Sequence, residues 1–128
     1  MFIDKPLPSS VESERVVVGA ILIDNSVITS CLENLKPSAF SSPVWKSIYE
    51  IQMDLFSKGK EINQIEIYEE WKKQGVANAY GGMKTIVNSF SGLPHFTKLD
   101  SYIAILNKKF QAREAIKLCG VLIENLLD

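Results

Sequence analysis

The sequence predicts an all-α fold: a compact head of about five short helices, after an extended N-terminal segment over residues 1–8, followed by one long helix. Three observations carry this reading. Apolar residues recur at three- and four-residue intervals along most of the chain. Serine, asparagine or threonine stands ahead of these runs as a helix cap, and glycine or proline closes them. With 128 residues, 46% of them hydrophobic, the chain suffices for one domain with a real core and not for a second of ordinary size.

The stretch VESERVVVGAILID, residues 11–24, poses the first choice, because its three valines suit a buried strand. The helix is preferred. Ser9 stands three residues before Glu12, the capping-box spacing, and Val11, Val18, Ile21 and Leu22 recur on one helical face. Glu12 and Glu14 then fall at the exposed start, where acids suit the helix dipole. Gly19 costs such a helix about 1 kcal/mol relative to alanine, so a close approach by another helix is expected there. Asn25 or Ser26 caps a short helix through Leu35, stopped by Lys36 and Pro37. Ser42 and Pro43 open the next, a cap with proline at the first helical position, whose inner face is Val44, Ile48, Ile51, Leu55 and Phe56 and whose stop is Gly59. Asn63 and Glu66 repeat the capping box for a helix that buries Ile67 and Trp71 and ends at Gly75. Gly81 and Gly82 start a two-turn helix through about Phe90, and SGLPHF is a loop.

Thr97 and Asp100 open the last helix, of about 30 residues or roughly 45 Å. The head is assigned residues 1–96 and this helix 97–128. Leu99, Ile103, Leu106 and Phe110 form one stripe in its first half; Tyr102, Ile105, Ala112, Ile116, Cys119, Ile123 and Leu126 continue a heptad-like second stripe to the end. A head of this size cannot cover that second stripe, so self-association through Ala112, Ile116, Cys119, Ile123 and Leu126 is expected. The alternative is a kink near Arg113 that folds the helix back onto its own domain.

The chemistry of sites is sparse. Gly59 and Lys60 lead into Glu61, not into the hydroxyl a phosphate loop requires, so no ATPase activity is expected. His95 is the only histidine, which leaves neither a zinc site nor a Ser-His-acid arrangement. Cys31 and Cys119 have no metal or redox spacing and read as small apolar fillers in a reducing compartment. A net charge of −1 argues against a domain that grips phosphates. Lys109, Arg113 and Lys117, four apart, make a basic stripe that either meets an acidic partner or lies in solvent. Trp45, Tyr49 and Trp71 sit where a core needs them, not a base-stacking surface. No segment approaches the length of a membrane span, and a cytoplasmic location is expected.

The motifs, taken together, resemble a family. LPSSVESERVVVGAILID is similar to the opening of bacterial replicative DNA helicases of the DnaB type, which reads proline-rich, then Glu-x-Glu, then a Leu-Gly-Ala-x-Leu run. LKPSAF, FSKGKEIN, YGGMKTI and LDSYIAILNKKFQAREAI resemble the family's following motifs in order, so that the likeness covers residues 7–128, all outside the motor. The resemblance implies an all-helical head followed by the first arm of a helical hairpin, hairpins that pair between subunits into the collar of a ring hexamer, and primase, or a helicase loader, docked on that collar. It implies that ATP and magnesium belong to a motor domain absent from this chain, that the chain itself needs no cofactor, and that direct DNA binding is slight. Primase contact in the family is associated with a glutamate matching Glu12 and a tyrosine whose place is taken here by Thr85. With Glu14, these form the expected partner surface. A stand-alone helical adaptor or loader-type protein is the alternative, and a small DNA-binding domain using the basic stripe a third.

Overall fold

The computed structural model describes residues 5–94 and 98–128. Among them there are six α-helices and no strand: α1 Val11–Ile23, α2 Ile28–Leu32, α3 Pro43–Ser57, α4 Gln64–Gln74, α5 Gly82–Phe90 and α6 Asp100–Leu127, with 3-10 turns at Asn25–Val27 and Pro37–Ala39. The expected cap at Thr97 and the loop residue His95 lie outside the described residues.

The central helix is α1. It packs against α3, α5 and α6, and Val16, Val17, Val18, Ala20 and Ile21 are all buried. That encirclement is why its sequence lacks a polar face and reads like a strand: a helix covered on most sides is apolar most of the way round. Its start departs from expectation by one residue. Ser10, not Ser9, is the N-cap, its hydroxyl accepting from the Ser13 amide at 3.4 Å. Val11, expected inside, is exposed.

Gly19 meets the close approach that its presence in a helix implied. A Cβ there would stand 1.9 Å from the carbonyl oxygen of Ser89 and 2.9 Å from Leu93 Cδ1, so α5 crosses α1 at a distance only glycine permits.

The remaining starts and stops follow local rules. Ser42 Oγ accepts from the Trp45 amide and Pro43 is the first residue of α3. Asn63 Oδ1 accepts from the Glu66 amide at 2.9 Å, and Gly75 closes α4 in the left-handed region with φ +75°. Asp24, rather than Asn25 or Ser26, caps the turn ahead of α2. On α3 the buried face is Ile48, Tyr49, Ile51, Gln52 and Leu55; Phe56, expected inside, is exposed. Tyr49 and Trp71 lie in the core with their polar atoms satisfied, the Tyr49 hydroxyl donating to the Leu35 carbonyl at 2.7 Å and Trp71 Nε1 donating to Ser47 Oγ at 2.9 Å.

Helix α6 is a single element of 28 residues, roughly 42 Å long. Leu99, Ile103 and Leu106 bury its beginning against the head. It does not fold back near Arg113, and every residue after Arg113 is exposed.

Candidate interaction surfaces

The two acids of α1 part company. Residues two apart on a helix point to nearly opposite sides, and α1 is buried on most of them. Glu12 stays outside. Glu14, expected at the surface, is 1% exposed and its carboxylate accepts from the Ser41 amide at 3.1 Å, Ser41 Oγ at 2.6 Å and the Ser42 amide at 2.9 Å. A carboxylate at the N-terminal end of α3 satisfies free amides and faces the positive end of the helix dipole. Glu14 is therefore a tertiary cap joining α1 to α3, and it is withdrawn from any partner surface.

Glu12 turns toward Arg15, whose Nε donates to both its oxygens at 3.1 Å, instead of reaching back to complete a capping box. Arg15 holds the Glu12 carboxyl below its usual range through these bonds, and the Arg15 guanidinium is raised in return. Arg15 Nη1 also donates to the carbonyls of Asn88 and Ser89 at 3.0 and 3.1 Å, satisfying the C-terminal end of α5. Glu12 is thereby fixed beside α5, the helix that carries half-buried Thr85 one turn earlier. Glu12 is left as an exposed carboxylate paired with Arg15, and Thr85 lies half-buried on α5.

The basic stripe is broken in the middle. Arg113 is buried, donating to the Pro8 carbonyl at 3.0 Å and the Ala39 carbonyl at 2.9 Å, with its guanidinium over the Phe110 ring. It pins the N-terminal segment and the Pro37–Ala39 turn to α6. Lys117 lies exposed, 3.8 Å from Glu114.

Beyond Arg113 the surface is apolar. Ala112 is half-buried; Ile116 and Ile123 are 39% and 44% exposed, Leu126 is 85% exposed, and Cys119, expected to fill space in a core, is exposed beside them. Leu118, Val121, Leu122 and Leu127 are exposed as well, so the apolar surface is wider than the expected stripe. The four-residue step from Leu118 to Leu122, running alongside Cys119 and Ile123, carried that signal. The N-terminal segment over residues 5–8 borders an apolar groove of about 670 Å³ against Ala115, Ile116, Cys119 and Ile123. Among the described residues no helix is long and apolar enough to cross a membrane.

The described residues thus form a helical head and one long helix whose second half carries uncovered apolar side chains. The match to known proteins is specific. The DnaB-like helicase N terminal domain profile matches residues 6–108, and the chain belongs to that family. A probable replicative DNA helicase of Trieres chinensis is 28% identical over 118 residues, covering 92% of this chain and 26% of the relative. The N-terminal domain of DnaB helicase from Mycobacterium tuberculosis shares the fold with a TM-score of 0.89 at 21% identity, covering 96% of this chain and 89% of that one. The corresponding domain from Helicobacter pylori, whose structure was described with its interactions with primase, gives a TM-score of 0.74 at 21% identity over 91% of each chain. The chain spans about a quarter of the length of the curated helicase it matches.

Proposed function

We propose that this chain is the collar domain of a hexameric replicative helicase, joining subunits through the second half of α6 and offering the Glu12, Arg15 and Thr85 edge to primase. The observation that carries this reading is the apolar face of α6 after Arg113, exposed along its whole length on a helix the head does not cover. Burying one large aliphatic side chain is worth about 1.5 to 3 kcal/mol, so a row of them drives association. ATP hydrolysis and magnesium binding fall, in this reading, to a motor outside these residues. A helicase loader would compete for the same outward surfaces.

Sedimentation over a wide concentration range tests the assembly half, comparing the wild type with Ile116→Glu and Ile123→Glu. A concentration-dependent dimer that both charges abolish, with the helical circular dichroism kept, is expected. A wild type that stays monomeric near millimolar concentration refutes it. For the docking half, Glu12→Ala should weaken binding of primase about tenfold or more if the edge is central to that contact. Equal affinity for wild type and Glu12→Ala removes Glu12 from the surface, and no binding of primase at all favours a stand-alone adaptor.

A further inference from the structure

We propose that residues 5–8 are part of the self-association site: together with α6 they form the groove in which a second copy's α6 lies antiparallel. This rests on the reading that the chain pairs through α6. Leu7 is 43% exposed although it borders an apolar groove, and the segment that carries it is not left to swing, because buried Arg113 holds the Pro8 carbonyl. A wall fixed by a buried guanidinium and faced with Leu7 and two prolines presents apolar surface at low entropic cost to whatever enters.

The pattern on α6 selects a second copy as that occupant and sets its direction. At 100° per residue, Ile116, Cys119 and Ile123 line the groove within roughly 60° of arc. Exposed Leu118 and Leu122 form a ridge on one flank, while Lys117 and Glu124 share the other, Lys117 toward the N-terminal side of Cys119 and Glu124 toward the C-terminal side. When two identical helices pair antiparallel about a two-fold axis, like flanks meet: ridge against ridge, and Lys117 brought to the same polar edge as Glu124 of its copy. Pairing parallel sets the charged flank against the leucines. Centred at Cys119, the antiparallel register also places Ala112 opposite Leu126 and brings Ile116 within one residue of Ile123, so the apolar face is its own complement.

The test uses the full 128-residue chain. In sedimentation, Leu7→Asp and, independently, Pro6→Asp should raise the dimer dissociation constant about tenfold or more without changing the thermal melt, since both side chains are exposed in the monomer. Ile123→Glu serves as the control for pairing itself. If Ile123→Glu abolishes the dimer while both segment variants dimerise like wild type, this inference falls and the reading beneath it stands; a monomeric wild type overturns both. Direction is read by disulfide trapping in a Cys119→Ser background. Mixing Ala112→Cys with Leu126→Cys should give the mixed disulfide, whereas homodisulfides alone overturn the antiparallel arrangement.

Discussion

Replacing Gly19 with alanine opposes two effects whose sizes the structure decides. Alanine gains up to about 1 kcal/mol of helix propensity over glycine. Against this, the added methyl would stand 1.9 Å from the Ser89 carbonyl oxygen and 2.6 Å from its carbon, both backbone atoms that no rotamer change can move. Restoring an ordinary carbon–oxygen contact near 3.3 Å requires α1 and α5 to separate by more than about 1 Å. That is enough to stretch the Arg15 bonds to Asn88 and Ser89, now 3.0 and 3.1 Å, and to loosen Ile86 and Ser89, which are fully buried at this interface. Overpacking a tight contact costs about 1 to 3 kcal/mol, and more where backbone must shift. The net is a destabilisation of about 2 kcal/mol, which for a domain of this size lowers Tm by roughly 6 to 10 °C. Thermal melts of wild type and Gly19→Ala followed by circular dichroism read this directly. A variant as stable as wild type, or more stable, would show that propensity wins and that α1 and α5 do not cross at glycine distance.

Glu14→Gln keeps the size of the side chain but turns one hydrogen-bond acceptor into a donor among the Ser41 and Ser42 groups; a loss of at least about 2 kcal/mol in denaturant unfolding is expected, and an unchanged midpoint would contradict the capping role. Burial pushes the Cys31 thiol up to about 12, so at concentrations where the chain is monomeric a thiol reagent at pH 8 should titrate one cysteine, Cys119, and the second only on unfolding; two equally fast thiols would refute the packing. Because Arg15 holds Glu12 below the ordinary value of 4.5, the stability this pair contributes is present above that value and lost as pH falls through the lowered one. The Tm difference between wild type and Glu12→Gln should thus be small but measurable at neutral pH and shrink as pH falls below 4.5, and a difference independent of pH would detach Glu12 from Arg15.

What was legible in the sequence was what local chemistry decides. Ser42 followed by Pro43 can hardly be anything but a helix start, and Asn63 with Gly75 brackets α4 by a side-chain acceptor at one end and a left-handed residue at the other. Gly19 was legible as an anomaly, because a glycine inside an apolar helix is costly unless something passes close by. Ser9 and Ser10 mark the limit of such reasoning. Either hydroxyl can cap α1, whereas Glu14, four residues before Val18 and seven before Ile21, shares their buried face whichever one does.

The same limit operates on α6. Lys109, Arg113 and Lys117 are indistinguishable as a spaced row of cations, yet only Arg113 reaches two carbonyls, of Pro8 and Ala39, that lie far from it in sequence and are brought together by the fold. A planar guanidinium with several fixed donors can bridge two backbone acceptors, which an ammonium on a flexible stem does less well. Arg113 is also where the helix changes character: before it Leu99, Ile103 and Leu106 are buried in the head, and after it nothing is buried. Periodicity carried the apolar stripe across that point without interruption, since burial by one's own chain and burial by another demand the same side chains. The separation between core and interface comes from where the head ends, and Arg113, by tying the N-terminal segment and the Pro37–Ala39 turn to one turn of α6, sets that place.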